Sequence, residues 1–411
     1  GGAVGLTVAA KTLQAVVRGD SVLTAPGALT LHARDLSFIY NDAGGMAFAG
    51  AGGGGGGSAT SLGVALAINN VVNLVDVIVE NSRIEVGGDA TLLAEGLTII
   101  FAQSGGLSVG ISGGSGGGFS LAGAGSGSLN VLAARWVVDV RGGSLDVGGA
   151  LTVRARDLTV VGTSAGALAG SGAGGGGGGV AGAAGASSGI TVVAGTVRAV
   201  LGAEEVTAVG ALTVVAESES YAGSYVIAGS GALAVGAGGG KAVGLAAAFA
   251  STTLAKTVEA LITAGRVMAA SVLVRADDRG TAASLTGGAT GAGSGGAGGG
   301  VSVGFGASLS VNVIAGSVSA RIEDADLESA GAVNVEALSR GEIISAAIAF
   351  GVGAAFGAGG GVAIAGSGAA SVNIFARDVL AEIIGSQVLS GGAVTVLADD
   401  LGLIVAGAGN A

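Results

Sequence analysis

Gly149-Ala150-Leu151-Thr152-Val153-Arg154-Ala155 decides the fold, because this run returns at a fixed interval throughout the 411 residues. Copies begin at Gly27, Gly88, Gly149, Gly210, Ala270, Gly331 and Gly392, so the start numbers rise by 61, 61, 61, 60, 61 and 61. Such regularity marks a repeat array, in which each unit buries its apolar face against its neighbours. Two positions after the start lie Leu29, Ala90, Leu151, Leu212, Val272, Val333 and Val394. Four positions after it lie only Leu and Val, and six positions after it Ala33, Ala94, Ala155, Ala216, Ala276, Ala337 and Ala398. The other parity carries Thr30, Thr91, Thr152, Thr213 and Thr395. A period of two with one apolar face is a strand. An apolar position before the start recurs as Leu23, Ile84, Leu145 and Val206, and Val267 sits one place off it. The single deletion therefore falls in the turn between that position and the start.

Gly-Gly-Gly recurs thirty positions into each copy, in triplets ending at Gly57, Gly118, Gly179, Gly240, Gly300 and Gly361. Around them the sequence thins to Gly, Ala and Ser, as a flexible linker would. A linker has no reason to hold its register through six copies. Some of these glycines suit a turn with positive φ. Others stand in alternations such as Ala232 to Leu245, with apolar or tiny side chains on both parities. Strands of that kind are expected to be buried on both faces, as an inner layer packed too closely for larger side chains.

A polar column follows forty-two positions after each start: Asn69, Asn130, Thr191, Thr252, Asn312 and Asn373. Amides stacked one strand spacing apart can bond into a ladder. A charged column, Arg34, Glu95, Arg156 and Glu217, alternates in sign before giving way to Asp277, Leu338 and Asp399. Opposite charges would face each other if successive copies stack at about 4.8 Å.

Composition narrows the function. Of 411 residues 87 are Gly, one is Pro, one is His and none is Cys, with 3% aromatics and a net charge of −11. Lack of Cys removes disulfide frameworks, thiolate metal sites and thiol nucleophiles. Scarce Pro and the missing G-X-Y period remove collagen, and half the residues being apolar argues against disorder. The modest acidic charge argues against nucleic-acid partners. His32 occupies a column that elsewhere holds Leu93, Arg154, Val215, Arg275, Glu336 and Leu397, so it reads as a surface residue. That leaves no Ser-His-Asp triad and no His-based metal site. Acidic pairs such as Asp277-Asp278 invite comparison with polysaccharide-cleaving β-helices, but the strict period leaves no room for a cleft-building loop. Neither catalysis nor a cofactor is expected. The Gly runs lack the G-K-[ST] of a phosphate loop, and the calcium-binding nonapeptide is absent. Residues 43–75 and 96–134 carry no charge, yet Gly is a poor former of spanning helices and aromatic girdles are missing, so the chain is not expected to span a membrane.

The expected fold is all-β: one β-solenoid array of 61-residue repeats with Gly/Ala-rich buried inner strands. It comprises a partial repeat over 1–26, repeats starting at 27, 88, 149, 210, 270 and 331, and a partial repeat over 392–411. No twenty-residue sub-period exists, which favours one large coil per copy, its perimeter folded into several layers. A stack of long hairpins turning at the Gly triplets would give the same columns. Neither end carries a capping segment, which suggests a window from a longer array or a unit that stacks end to end.

Blocks such as Gly304-Phe305-Gly306-Ala307-Ser308-Leu309-Ser310-Val311-Asn312-Val313-Ile314 resemble the Gly-rich repeats of very large bacterial surface adhesins, filamentous-haemagglutinin-like and leukotoxin-type exoproteins among them. So does Asp326-Leu327-Glu328-Ser329-Ala330-Gly331-Ala332-Val333-Asn334-Val335. The resemblance rests on repeat style and transfers no catalytic residue. It implies an extracellular or cell-surface β-solenoid shaft. The expected role is a structural fibre that self-associates end to end or laterally and meets host or neighbouring-cell surfaces. The alternative is a module binding ice or polysaccharide along one regular face; for ice, the column beside the threonines is too bulky and charged. The residues expected to matter are structural: the triplet ends Gly57, Gly118, Gly179, Gly240, Gly300 and Gly361, and Asn69, Asn130, Asn312 and Asn373.

Overall fold

Alternating apolar residues without helix-length patterning leave the chain extended almost throughout. The computed structural model describes residues 1–263 and 265–411, and every element among them is a β-strand. One copy makes one coil. Leu29–Gly53 runs out along a front sheet, the chain turns at Gly54 to Gly56, and Gly57–Val86 returns along a back sheet. Ala90–Gly114 then lies parallel to Leu29–Gly53, and Gly118–Val147 lies parallel to Gly57–Val86, each displaced by one copy. The registers continue to Val394–Asn410 in front and Gly361–Ile384 behind. The array is therefore a β-solenoid, as its period predicts.

Two details differ from the hairpin alternative and from the several-layered coil. Outgoing and returning runs do not hydrogen-bond to each other as a hairpin would; each bonds to its own equivalents in adjacent coils. The coil also has two long layers, not several. The last four residues of the return, such as Val22–Ala25 and Asp326–Ser329, follow a corner and close one edge as a short third side. Asn81 and Asp324 take that corner with positive φ, which Asn and Asp tolerate better than most residues. The deletion is absorbed just beyond it. Val267 still pairs with Val206, and the register shifts between Ala269 and Ser271.

The coil has a thick end and a thin end. Near the short third side the space between the sheets is filled by Leu92, Leu132, Trp136, Val138 and Ile84, all fully buried, and by their equivalents in the other coils. Towards the Gly turn the enclosed clusters shrink almost to alanine alone, as in Ala122, Ala167, Ala181 and Ala234. Here the backbones of the two sheets face each other directly. A Cβ added at Gly179 would come 2.6 Å from the carbonyl oxygen of Ala173, closer than real Cβ atoms approach. Close contact of this kind replaces side-chain volume as the means of excluding water.

The expected inner layer needs correcting. The Gly-rich strands bury only their inward side; outward residues such as Leu62 and Phe48 are 60% and 69% exposed. The triplets themselves lie at the thin edge. Gly56, Gly117, Gly178, Gly239, Gly299 and Gly360 take φ between +89° and +101° there, a conformation that costs glycine nothing.

Candidate functional site

The structure places the six triplet-end glycines in one column at the start of the returning runs. Gly118 pairs with both Gly57 and Gly179, and Gly300 pairs with both Gly240 and Gly361. Gly179, Gly240 and Gly300 are buried, whereas Gly57 and Gly118 are partly covered and Gly361 is exposed on the last coil. Turn hydrogen bonds repeat beside them: the Gly56 amide donates to the Gly53 carbonyl and that of Gly178 to Gly175, each at 3.3 Å. The Gly57 amide then crosses to the Gly117 carbonyl of the next coil, also at 3.3 Å.

The amide column lies in the interior, midway between the two ends. Asn69, Asn130, Thr191, Thr252 and Asn312 are 0% exposed. Asn69 Nδ2 donates to Asn130 Oδ1 at 2.8 Å and Asn312 Nδ2 to Asn373 Oδ1 at 3.0 Å, so two rungs of the ladder form. The hydroxyls of Thr191 and Thr252 are too short to continue it and bond instead with Ser224. The column also ties sheet to sheet. Asn130 Nδ2 donates to the Gly162 carbonyl opposite at 2.6 Å, and Thr252 Oγ1 to Ala283 at 3.1 Å.

Closer to the thick end runs a seam of buried charge that the sequence reading missed. Asp157 is wholly buried; it accepts from Lys256 Nζ at 2.5 Å and from Thr159 Oγ1 at 2.7 Å. Lys256 is 2% exposed, and its ammonium lies 4.9 Å from the centroid of the Trp136 ring. Two coils on, Arg377 lies 2.5 Å from Asp278, both side chains 1% exposed, and it donates to Ser339 Oγ at 3.2 Å. In the first coil Asp35 holds Lys11 at 3.2 Å, Ser37 at 2.7 Å and Asn73 at 2.9 Å. Burial raises the carboxyl groups of Asp157 and Asp278 above their ordinary range, with Lys256 and Arg377 respectively opposing the rise. Both pairs bridge the front and back sheets.

A sequence signal for this seam exists. Asp35, Asp157, Asp278 and Asp400 share one column of inward parity and recur in every second copy. The intervening copies carry Gly96, Ser218 and Ser339. A side chain at Gly96 would strike the Trp136 indole, which fills that level of the seam instead. The indole N–H has no hydrogen-bond partner among the described residues.

On the outer surface of the thick half, charges run along the axis. Arg34 meets Glu95 at 2.9 Å, but Arg156 does not repeat the contact; Arg154, from the neighbouring column, reaches Glu217. Glu259 is shared by Arg198 and Arg321 of the coils on either side. His32 lies exposed on this face, 3.4 Å from Glu95. The buried pairs sit where no solute can reach them, so what they can do is hold the sheets together. Shallow grooves mark the outer surface. One of about 1010 Å³ follows the Gly turns, and one of about 550 Å³ lies on the front face among Tyr40, Phe101, Tyr225, Leu285 and Ile344. No protein-family model, curated protein or solved structure matches this chain.

Proposed function

We propose that this chain is a length of non-catalytic shaft, an extracellular fibre or adhesin stalk of the bacterial cell surface. One observation carries the reading: successive copies stack in register, residue upon equivalent residue, from Leu29 to Val394 in a single column. A coil that repeats its outline can be extended by adding copies, without new contacts having to be invented. Each coil lengthens the shaft by only ~4.8 Å while spanning ~80 Å in width, so the product is a broad, stiff plank. Devoting a whole copy to so small a rise suits a body selected for rigidity. The likeness of its repeats to those of giant surface adhesins supports the extracellular setting. Two experiments test this. Chains carrying twelve extra copies should lengthen by ~58 Å at constant width in electron micrographs. Antibodies to the repeat should label intact source cells. Particles that grow in width, or labelling only after lysis, would refute the shaft or its location respectively.

A second reading, glycan binding, is favoured by the front-face trough, whose floor of Gly162, Gly223 and Ala283 lies among the aromatic rings of Tyr40, Phe101 and Tyr225. Retention on an insoluble polysaccharide that is lost in Tyr225→Ala would support it; equal retention of both proteins would remove it.

A further inference from the structure

The thin half of the solenoid is almost free of charge. Across residues 42–68, 103–129, 164–190, 225–251, 285–311 and 346–372 the only charged side chains are Asp42 and Lys241. Its two outer faces nevertheless carry large apolar groups in the open, among them Phe48, Ile111 and Phe350 in front and Leu62, Leu121 and Phe305 behind. Several of the large groups on these faces do not stand up from the sheet. A Cβ added at Gly123 would lie 3.0 Å from Leu62 Cδ1, one at Gly182 3.0 Å from Leu121 Cδ1, and one at Gly366 2.7 Å from the Phe305 ring. On the front face, Gly229 stands in the same relation to Leu168 at 2.7 Å. Leu62, Leu121, Leu168 and Phe305 thus lean along the axis, each over a glycine of the same column in the next coil. Where an outward glycine follows in the column, it lets the large side chain lie down along the face.

We propose that both outer faces of the thin half are lateral docking surfaces for further copies of this chain, which pack face to face and join shafts side by side. The area fits. Roughly ten residues of strand by six coils give ~1,000 Å² per face, where a stable pair needs ~800 Å² per partner. Ordinary exposed apolar patches reach only ~300–600 Å². Flatness fits as well, since two sheets pack closely at ~10 Å only when their side chains do not hold them apart. Because the faces are opposed, association does not close at a dimer but continues as a stack. Charged columns on the thick half stay outside the contact.

The proposal rests on the shaft reading but fails separately from it. The test uses the whole chain in sedimentation velocity and electron microscopy, at about 1–50 µM, a range in which interfaces of this size associate. Val180→Lys and Val301→Lys charge the back-face column that already accepts Lys241, so the fold is expected to persist and circular dichroism checks it. The wild type should form stacks thickened across the sheets. The double variant should stop at front-to-front pairs, and adding Ile111→Lys and Phe350→Lys should give monomers, with at least about tenfold weaker association at each step. Should a variant fail to fold, the wild type alone still decides, because apolar association strengthens with sulfate whereas charge-driven association weakens. A monomeric wild type at about 50 µM, unchanged association of the charged variants, or growth along the axis alone would overturn the proposal. So would monomers that float with phosphatidylcholine vesicles, which would make the occupant lipid. None of these outcomes bears on whether added copies lengthen the particle.

Discussion

Lys256→Met should be among the most damaging single substitutions in the molecule. The change keeps an unbranched side chain of similar length but removes the ammonium that bonds to Asp157, which is buried and has Thr159 as its other partner. Breaking a buried pair from one side costs about 3–5 kcal/mol. The same size follows from titration. An orphaned Asp157 escapes its buried charge by taking up a proton, and for a carboxyl of ordinary pKa 3.8 this costs about 5 kcal/mol near pH 7.5 but only about 1 kcal/mol near pH 4.5. Loss of the ammonium from the Trp136 ring adds about 1 kcal/mol or less. Denaturant midpoints at the two pH values, with m-values compared to check that unfolding stays cooperative, measure the effect. Thr257→Met, one residue along and on the outward parity, is the control. The double variant Lys256→Met with Asp157→Leu should recover most of the loss, since an apolar pair commonly matches a buried ionic one. A Lys256→Met penalty below about 1 kcal/mol near pH 7.5, or one that does not shrink on acidification, would refute the claim that Asp157 is held as a buried ion partner.

Burial raises Asp278 above its ordinary pKa, so between about pH 4 and neutrality the folded chain binds more protons there than the unfolded one, and that share of stability is lost as pH rises. The stability of Asp278→Asn relative to wild type should therefore improve from about pH 4 to about pH 7, in paired melting curves. Asn130→Ala removes the bond to the Gly162 carbonyl and the acceptor for Asn69, and should cost about 1–3 kcal/mol by denaturant titration. Gly179→Val should abolish folding, because its Cβ has no place beside Ala173, whereas His32→Ala, exposed beside Glu95, should move the melting temperature little. Equal tolerance of the last two would contradict the close approach of the sheets at the thin end.

The columns that place Leu151 over Leu212 or Gly118 over Gly179 were legible because each occurs once per copy, and a period survives any local ambiguity. Which way the Gly-rich strands face was not. Around Leu233 and Leu245 both parities are apolar or tiny, so no polar residue marks the side that meets water, and burial on both faces is the natural reading. The structure instead exposes Leu233 and Leu245 and buries Ala234 and Ala242. The acidic seam was overlooked for a different reason. Asp277 and Asp278 look like a surface pair, yet adjacent residues of a strand point to opposite sides. Asp277 turns outward to Arg275, and Asp278 turns inward to Arg377. Parity relative to Ala276 contained that information.

The position of the polar seam answers a difficulty that the thin half creates. Register in a sheet is fixed where one face must be buried and the other must not, and a slip by two residues preserves that parity. On the inward parity of Ala232 to Leu245, such a slip exchanges only alanine and glycine among themselves, as Ala232 for Ala234 or Gly236 for Gly238, with little lost. The thin half therefore specifies its own register weakly. From mid-coil to the thick end a two-residue slip would move Asp157 away from Lys256, take Asn69 off Asn130 and drive Trp136 from the space left by Gly96. The first two leave a buried charged or polar group without its partner, at about 1–3 kcal/mol for an amide and more for a charge, and the third drives the indole into occupied space. Because one chain runs continuously through both halves of every coil, the register set at the thick end is imposed on the glycine turn some 25 residues away. The costly buried ions thus sit in the same coil as the least specific strands, where a single correct stacking is worth more than added stability.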